Sequence, residues 1–149
     1  MTIMVVVLIA LVLGLTSVLH LYWAAGGLWP ASDELRLART VIGANGITTM
    51  PNRWLTAAVA ICIALAAIWP MIWLRWIVTP APDWLLTVGM AVLCLVFLGR
   101  GVAGFVPAVK RLNSEEPFAS LDARYFSPLI LGLGLAFAGL LLLDPRGIS

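Results

Sequence analysis

A histidine and an arginine lie inside apolar stretches of this chain, His20 in the first stretch and Arg100 in the third. A charged side chain within a membrane-spanning helix is costly and usually faces the protein interior or water, so it is a candidate functional residue. The guanidinium of Arg100 can bind a carboxylate or another anionic group. His20 is the only histidine, and it offers an acid–base group, a single axial haem ligand or a hydrogen bond to a ligand headgroup.

Each of these residues also has a purely structural explanation. Arg100 lies close to the end of its apolar stretch, so its long side chain can reach the interface or pair with a loop carboxylate, which is Asp122, Glu115 or Glu116. His20 can form a hydrogen bond to a neighbouring helix. No second histidine or intramembrane carboxylate accompanies His20 in the sequence, so a metal site is not predicted and the identity of any cofactor stays open.

The apolar stretches that contain these residues are long enough to cross a bilayer. The sequence is 62% hydrophobic and 11% charged, which is far more apolar than a soluble domain. Roughly 20 apolar residues span the hydrocarbon core, and stretches of this kind cover about residues 3–23, 54–76, 84–106 and 126–143. Backbone groups in lipid must bond internally, so each stretch is a helix. The sequence therefore predicts a single all-α domain over residues 1–149, a four-helix transmembrane bundle.

The first apolar stretch is interpreted as a span rather than as a cleaved signal peptide. No basic residue precedes it, and it is longer than the apolar region of an ordinary signal peptide.

The first connection between spans predicts a short interfacial helix. Ser32, followed by Asp33 and Glu34, is typical of a helix N-cap with acidic residues in the first turn. Apolar residues then recur at helical spacing, and Gly43 or Gly46 ends the segment. A short amphipathic helix of this kind lies along the membrane surface.

Most candidate polar residues are expected at one end of the bundle. His20 and Arg100 both precede the end of their spans by a few residues, and these two ends meet the same interface. At about 1.5 Å per residue, both side chains lie roughly 5–10 Å below that interface. The start of the fourth span, with Ser127, is at the same level. The predicted ligand-binding cluster consists of His20, Tyr22, Trp23, Arg100, Asp122, Arg124 and Tyr125, with His20 as the candidate catalytic residue.

Glycines in the third and fourth spans predict close helix packing. Residues 99–104 match the dinucleotide-binding pattern G-x-G-x-x-G, but that pattern requires a strand before it and the match is accidental here. Small residues instead let a neighbouring helix approach closely. The residues concerned are Gly101, Gly104, Gly132, Gly134 and Gly139, and the packing is either within one chain or between chains.

The basic residues favour one orientation and exclude one class of partner. The first and third connections carry Arg36, Arg39, Arg53, Lys110, Arg111 and Arg124, whereas the other side has only Arg75 and Arg146. The positive-inside rule then favours a cytoplasmic position for the first and third connections. A net charge of +2 with scattered basic residues does not indicate a nucleic-acid partner.

Three segments resemble an uncharacterised family of small four-span bacterial membrane proteins, classed as a domain of unknown function. They are residues 20–27 (HLYWAAGG), Arg100 with Gly104 and Phe105, and residues 118–129 (FASLDARYFSPL). The resemblance implies a bacterial cytoplasmic membrane, with these segments at one membrane face. It also implies cytoplasmic termini, contrary to the charge bias, although this chain lacks the basic N-terminus usual in the family.

The sequence predicts a membrane protein that binds or modifies a lipophilic small molecule. The apolar part of this ligand lies between helices, and its headgroup lies at the polar cluster. Arg100 holds an anionic or carbonyl group, and His20 donates or accepts a proton. The alternative is an accessory or scaffolding subunit of a larger membrane complex or a homo-oligomer, in which the glycine faces are the functional surface. Whether the protein is an enzyme stays open.

Overall fold

The computed structural model describes residues 1–143, which form helices joined by turns and loops. The helices are α1 (Thr2–Ala24), α2 (Glu34–Val41), α3 (Arg53–Trp73), α4 (Asp83–Ala103), α5 (Pro107–Leu112), α6 (Phe118–Leu121) and α7 (Ser127–Leu143). A π-helical turn, Asp122–Phe126, joins α6 to α7. Four helices are long and apolar enough to cross a membrane: α1, α3, α4 and the continuous helix Phe118–Leu143. The predicted all-α fold class, with four spans, is confirmed.

Helix ends differ from the predicted spans at three places. Helix α3 ends at Trp73 rather than at residue 76, because Arg75 has φ of 61°, outside the right-handed helical region. Helix α4 ends at Ala103 rather than at residue 106, and Val106 is extended, as expected of a residue before proline. The fourth span begins at Phe118, eight residues before the predicted start at residue 126.

Helix α2 occurs in the first connection as predicted, but its N-cap is Asp33 rather than Ser32. The Asp33 Oδ1 atom accepts a hydrogen bond from the Arg36 backbone N–H at 2.8 Å, and this bond lowers the pKa of the Asp33 carboxyl. The helix ends at Val41, and the N–H of Gly43 donates to the Ala38 carbonyl at 3.1 Å. Gly43 has φ of 65°, which glycine adopts without strain, so it rather than Gly46 follows the helix end.

The four spans pack mainly as two pairs, and each pair consists of spans that follow each other along the chain. Helix α1 packs most extensively on α3, and helix α4 packs most extensively on α7. The contact between α3 and α4 is smaller, and the contact between α1 and α7 is the smallest of the four. In the first pair, the Ser17 hydroxyl donates to the Ala60 carbonyl at 2.8 Å. Both residues are buried, so this bond joins α1 to α3 without leaving a polar group unsatisfied.

Glycines bring the two helices of the second pair together. A Cβ atom added at Gly101 would lie 2.7 Å from Leu131 Cα, and one added at Gly134 would lie 2.7 Å from Leu98 N. Both glycines therefore serve packing within the chain. Gly132 and Gly139 differ, because an added Cβ atom at either position has no neighbour within 4 Å among the described residues.

The largest buried apolar cluster lies in the half of the bundle nearest the α3–α4 loop. All four spans contribute to it, through Val6, Ile9, Leu13, Ala66, Ala67, Trp73, Leu86, Met90, Cys94, Leu133, Phe137 and Leu140. Trp73 is fully buried, and its Nε1 donates to Thr87 Oγ1 at 3.2 Å. Trp69 Nε1 donates to the Leu86 carbonyl at 3.0 Å. These two indoles link α3 to α4 and so connect the two helix pairs.

Substituting leucine at Gly101 and at Gly132 tests the packing of the second pair. Gly101→Leu forces α4 away from α7, and we expect a loss of about 1–3 kcal/mol in the free energy of unfolding. Gly132→Leu, the matched control on α7, meets open space and is expected to change stability by less than about 0.5 kcal/mol. Denaturation of the detergent-solubilised protein measures both. Equal losses for the two variants would contradict this packing.

Candidate functional site

Arg100, Asp122 and Ser127 form a closed hydrogen-bond network between α4 and the start of the fourth span. The Arg100 Nη2 atom donates to Asp122 Oδ1 at 2.7 Å, and Nη1 donates to Ser127 Oγ at 3.3 Å. The Ser127 hydroxyl donates in turn to Asp122 Oδ2 at 2.9 Å. Asp122 and Ser127 are buried, whereas 40% of the Arg100 side chain is exposed. One edge of the guanidinium is therefore neutralised, and the rest is accessible.

The π-helical turn explains why Asp122 and Ser127 meet. Five residues along an α-helix turn a side chain about 140° away from its starting direction. In this segment the Ser127 N–H bonds to the Asp122 carbonyl, five residues back, so the turn is wider and both side chains reach α4. Pro128 follows at once, and it has no N–H and would clash with the carbonyl four residues before it. The wide turn lets the helix continue through this proline.

Gly104 makes room for the network at the end of α4. A Cβ atom at this position would overlap Ser127 Oγ and would lie 2.8 Å from Asp122 Oδ2. Any side chain at residue 104 would therefore displace the serine or the aspartate from the Arg100 side chain. The predicted packing glycine is part of the site.

A cavity of 470 Å³ opens beside the exposed part of Arg100. Its apolar wall comes from α2, α4, α5 and α6, and the residues are Val41, Ile42, Ala103, Val109, Phe118 and Ala119. Its charged residues are Arg100, Lys110 and Asp122, two cations and one anion. Lys110 was not among the predicted site residues. Its Nζ atom lies 5.9 Å from the centroid of the Phe105 ring, and it forms no ion pair within residues 1–143.

Contacts between the first and third connections hold the cavity walls in place. Asn45 Nδ2 donates to the Arg111 carbonyl at 2.6 Å, and Asn45 Oδ1 accepts from the Ser114 hydroxyl at 2.7 Å. The Glu115 carboxylate accepts from the Gly46 N–H at 3.2 Å and lies 3.5 Å from Arg39 Nε. The end of α2 is thereby fixed against α5 and α6.

His20 and Trp23 line a different cavity, of 160 Å³, between α1, α2 and α3. Val41 and Ile42 line both this cavity and the one beside Arg100, so the end of α2 lies between the two. The single polar cluster expected from helix depth is thus divided. Depth along a helix fixes the level of a side chain but not the side of the bundle to which it points.

The other predicted site residues lie away from both cavities. Tyr22 is 46% exposed, and its ring packs over Gly27. Arg124 and Tyr125 are exposed at the start of the fourth span, where the guanidinium carbon lies 5.4 Å from the centroid of the tyrosine ring. Cation–π pairs of this kind are common at membrane interfaces, where an aromatic ring and a basic group share the headgroup level. From the predicted set, the structure brings together three separate pairs: Arg100 with Asp122, His20 with Trp23, and Arg124 with Tyr125.

Two residues of the site, Ser127 and Lys110, were not in the predicted ligand-binding cluster, and the sequence gives a signal for only one of them. Ser127 is five residues after Asp122 and directly before Pro128, a spacing that fits a widened turn. Lys110 lies in a loop with other charged residues and has no such signal. Within residues 1–143, no group of three or more histidine, cysteine, aspartate or glutamate residues is placed to hold a metal ion.

Fold and site together define a small four-span α-helical membrane protein with an ion-paired arginine near one end of the bundle. Residues 13–137 match the family described as "Protein of unknown function (DUF3995)", and the chain belongs to this family. Comparisons with curated proteins and with solved structures found no match.

Removing the charge of Asp122 tests the network. Asp122→Asn leaves the Arg100 guanidinium without its counter-ion, and we expect a loss of about 1–3 kcal/mol in the free energy of unfolding. Asp83→Asn is the matched control, because Asp83 pairs with Arg75 at 2.7 Å in an exposed position where such pairs contribute less than about 1 kcal/mol. Denaturation in detergent measures both variants, and equal effects would show that the Arg100 pair is effectively solvated.

Proposed function

We propose that this protein binds a lipophilic molecule with an anionic headgroup in the cavity beside Arg100, in a bacterial cytoplasmic membrane. The observation that carries the proposal is an excess of positive charge among the described residues that line a cavity with an apolar wall. Arg100 and Lys110 contribute two cations, and Asp122 contributes one anion. An anionic group bound there would balance the charge.

The donors that would hold the headgroup are the Lys110 ammonium and those N–H groups of Arg100 that make no hydrogen bond within residues 1–143. A guanidinium has five N–H donors, and Asp122 and Ser127 accept from two of its nitrogens. The remaining donors are on a side chain that the network already holds in place. Charge-assisted hydrogen bonds from such a preoriented group are stronger than neutral ones.

The apolar wall suits the hydrocarbon part of the ligand. The lining includes Val41 of α2, Ile42 directly after it, Ala103 of α4 and Phe118 of α6. The volume of 470 Å³ is within the range of roughly 300–1,000 Å³ typical of small-molecule sites. Helix α5 contributes Val109 to this wall, and Lys110 is in its basic last turn. We expect this basic end at the headgroup level. The ligand would therefore extend from the interface into the bundle.

Mass spectrometry of molecules extracted from the purified protein tests the proposal. The samples are wild type, Arg100→Ala, Ala119→Trp and the matched control Arg124→Ala, all purified in the same mild detergent. Arg124 is an exposed arginine at the same membrane face, and it does not line the cavity. We expect a stoichiometric anionic amphiphile with wild type and the control. Losing charge-assisted bonds of about 1.5–3 kcal/mol weakens the affinity of Arg100→Ala at least tenfold, so less of the amphiphile is retained through purification.

Ala119→Trp separates loss of the site from loss of the fold. The tryptophan fills the cavity but leaves the Arg100–Asp122 pair intact, so the variant should fold and yet lose the ligand. Equal amounts of bulk lipid in all four samples, with no stoichiometric component, would overturn the proposal.

A second candidate function is that of a scaffolding subunit or homo-oligomer, as the sequence also suggests. The observation that favours it is the open space at Gly132 and Gly139, which are seven residues apart on one face of α7. A face of small residues allows the close approach of a helix from another chain.

Substituting Gly139 tests this second function. If α7 contacts another copy, Gly139→Leu converts the oligomer to a monomer, whereas Leu15→Ala, at an exposed position on α1, does not. Light scattering after size-exclusion chromatography in detergent gives the mass of each. A monomeric wild type would rule out self-association, and an oligomer unaffected by Gly139→Leu would rule out this face.

A further inference from the structure

We propose that the cavity beside His20 is a second binding site, separate from the Arg100 site, for an uncharged lipophilic molecule that carries a hydroxyl or N–H donor. The volume of this cavity is 160 Å³. Residues from α1, α2, α3 and the loop before α3 surround it. Its ligand chemistry differs from that of the Arg100 cavity because of one imidazole nitrogen.

The hydrogen bond made by His20 fixes which ring nitrogen is available. The Nδ1 atom lies 2.8 Å from the Thr16 carbonyl oxygen, one helical turn back. A carbonyl oxygen only accepts, so Nδ1 must be the protonated nitrogen. In the neutral ring Nε2 is then an acceptor, and it forms no hydrogen bond within residues 1–143. The ring lies against Trp23, with 5.0 Å between the ring centroids.

The rest of the cavity wall gives Nε2 no competitor and no charge. Its apolar members include Met50, Leu55 and Val59. The Thr56 hydroxyl also lines it, but that hydroxyl donates to the Asn52 carbonyl at 3.4 Å. An imidazole acceptor beside apolar side chains favours a ligand that carries a donor, because the hydrogen bond between them contributes about 0.5–1.5 kcal/mol.

The volume and the wall indicate the size of the group that enters. An apolar cavity of roughly 150 Å³ accommodates one benzene ring, and Trp23 offers an aromatic surface for such a ring. A phenol has this size and carries a hydroxyl donor. The cavity shares Trp23, Met50, Pro51 and Thr56 with a larger one of 630 Å³ that reaches Arg53 near the membrane surface. A substituent on the ring therefore has a way out of the small cavity.

Nitrogen NMR of the single histidine tests this site directly. Protein labelled with ¹⁵N-histidine, purified with a histidine-free tag and placed in lipid nanodiscs at pH about 8.5, gives imidazole signals from His20 alone. The probes are 4-octylphenol and its methyl ether, 4-octylanisole. They have nearly the same size and apolar character, but only the phenol can donate a hydrogen bond.

We expect the unprotonated nitrogen of the apo protein to be Nε2, and we expect its resonance to shift on saturation with 4-octylphenol but not with 4-octylanisole. Val59→Trp, which fills the cavity, should abolish the shift. Arg100→Ala should leave it unchanged, because the two sites are independent. The proposal is overturned if Nδ1 is the unprotonated nitrogen, if neither probe shifts Nε2, or if both probes shift it equally. The wild-type comparison alone decides the matter should Val59→Trp fail to fold.

Discussion

The energetic cost of placing the Arg100 guanidinium within a membrane span is the constraint on which one end of this protein depends. A charge in that position needs a counter-ion and hydrogen-bond acceptors, and Asp122 and Ser127 supply both. Their side chains reach α4 only because the helix widens before Pro128 and because residue 104 has no side chain. The widened turn and the glycine at residue 104 have one joint effect, which is to let Asp122 and Ser127 reach the Arg100 guanidinium.

The connections outside the spans form the surroundings of the exposed part of the Arg100 guanidinium. Asn45 and Glu115 join the first connection to the third, and α2 is thereby held beside α6. This placement forms part of the apolar wall of the Arg100 cavity, and the end of α2 also lines the His20 cavity. The polar groups near one membrane face thus belong to two environments, one with a net positive charge and one that is neutral with a hydrogen-bond acceptor.

The parts of the structure that sequence could predict are those that depend on residue type and local spacing. Four spans follow from hydropathy, and α2 follows from its capping residues and apolar periodicity. The sequence was compatible with several carboxylate partners for Arg100, and in the structure the partner is Asp122. The extended start of the fourth span, the position of Lys110 and the separation of His20 from Arg100 depend on how two distant connections fold over each other. No local pattern encodes those long-range contacts.

The pairing of consecutive spans has a consequence for how the protein is made. Helices α1 and α3 are complete before α4 is synthesised, and each finds its most extensive contacts within the same half of the chain. Helices α4 and α7 likewise make their most extensive contacts with each other, in the second half of the chain. The molecule is therefore two helical hairpins in series, with the Ser17–Ala60 hydrogen bond inside the first and the Arg100–Asp122 pair inside the second. The α3–α4 loop becomes the natural place to divide the polypeptide into two co-expressed halves, and the tryptophans Trp69 and Trp73 provide the contacts through which the halves recognise each other.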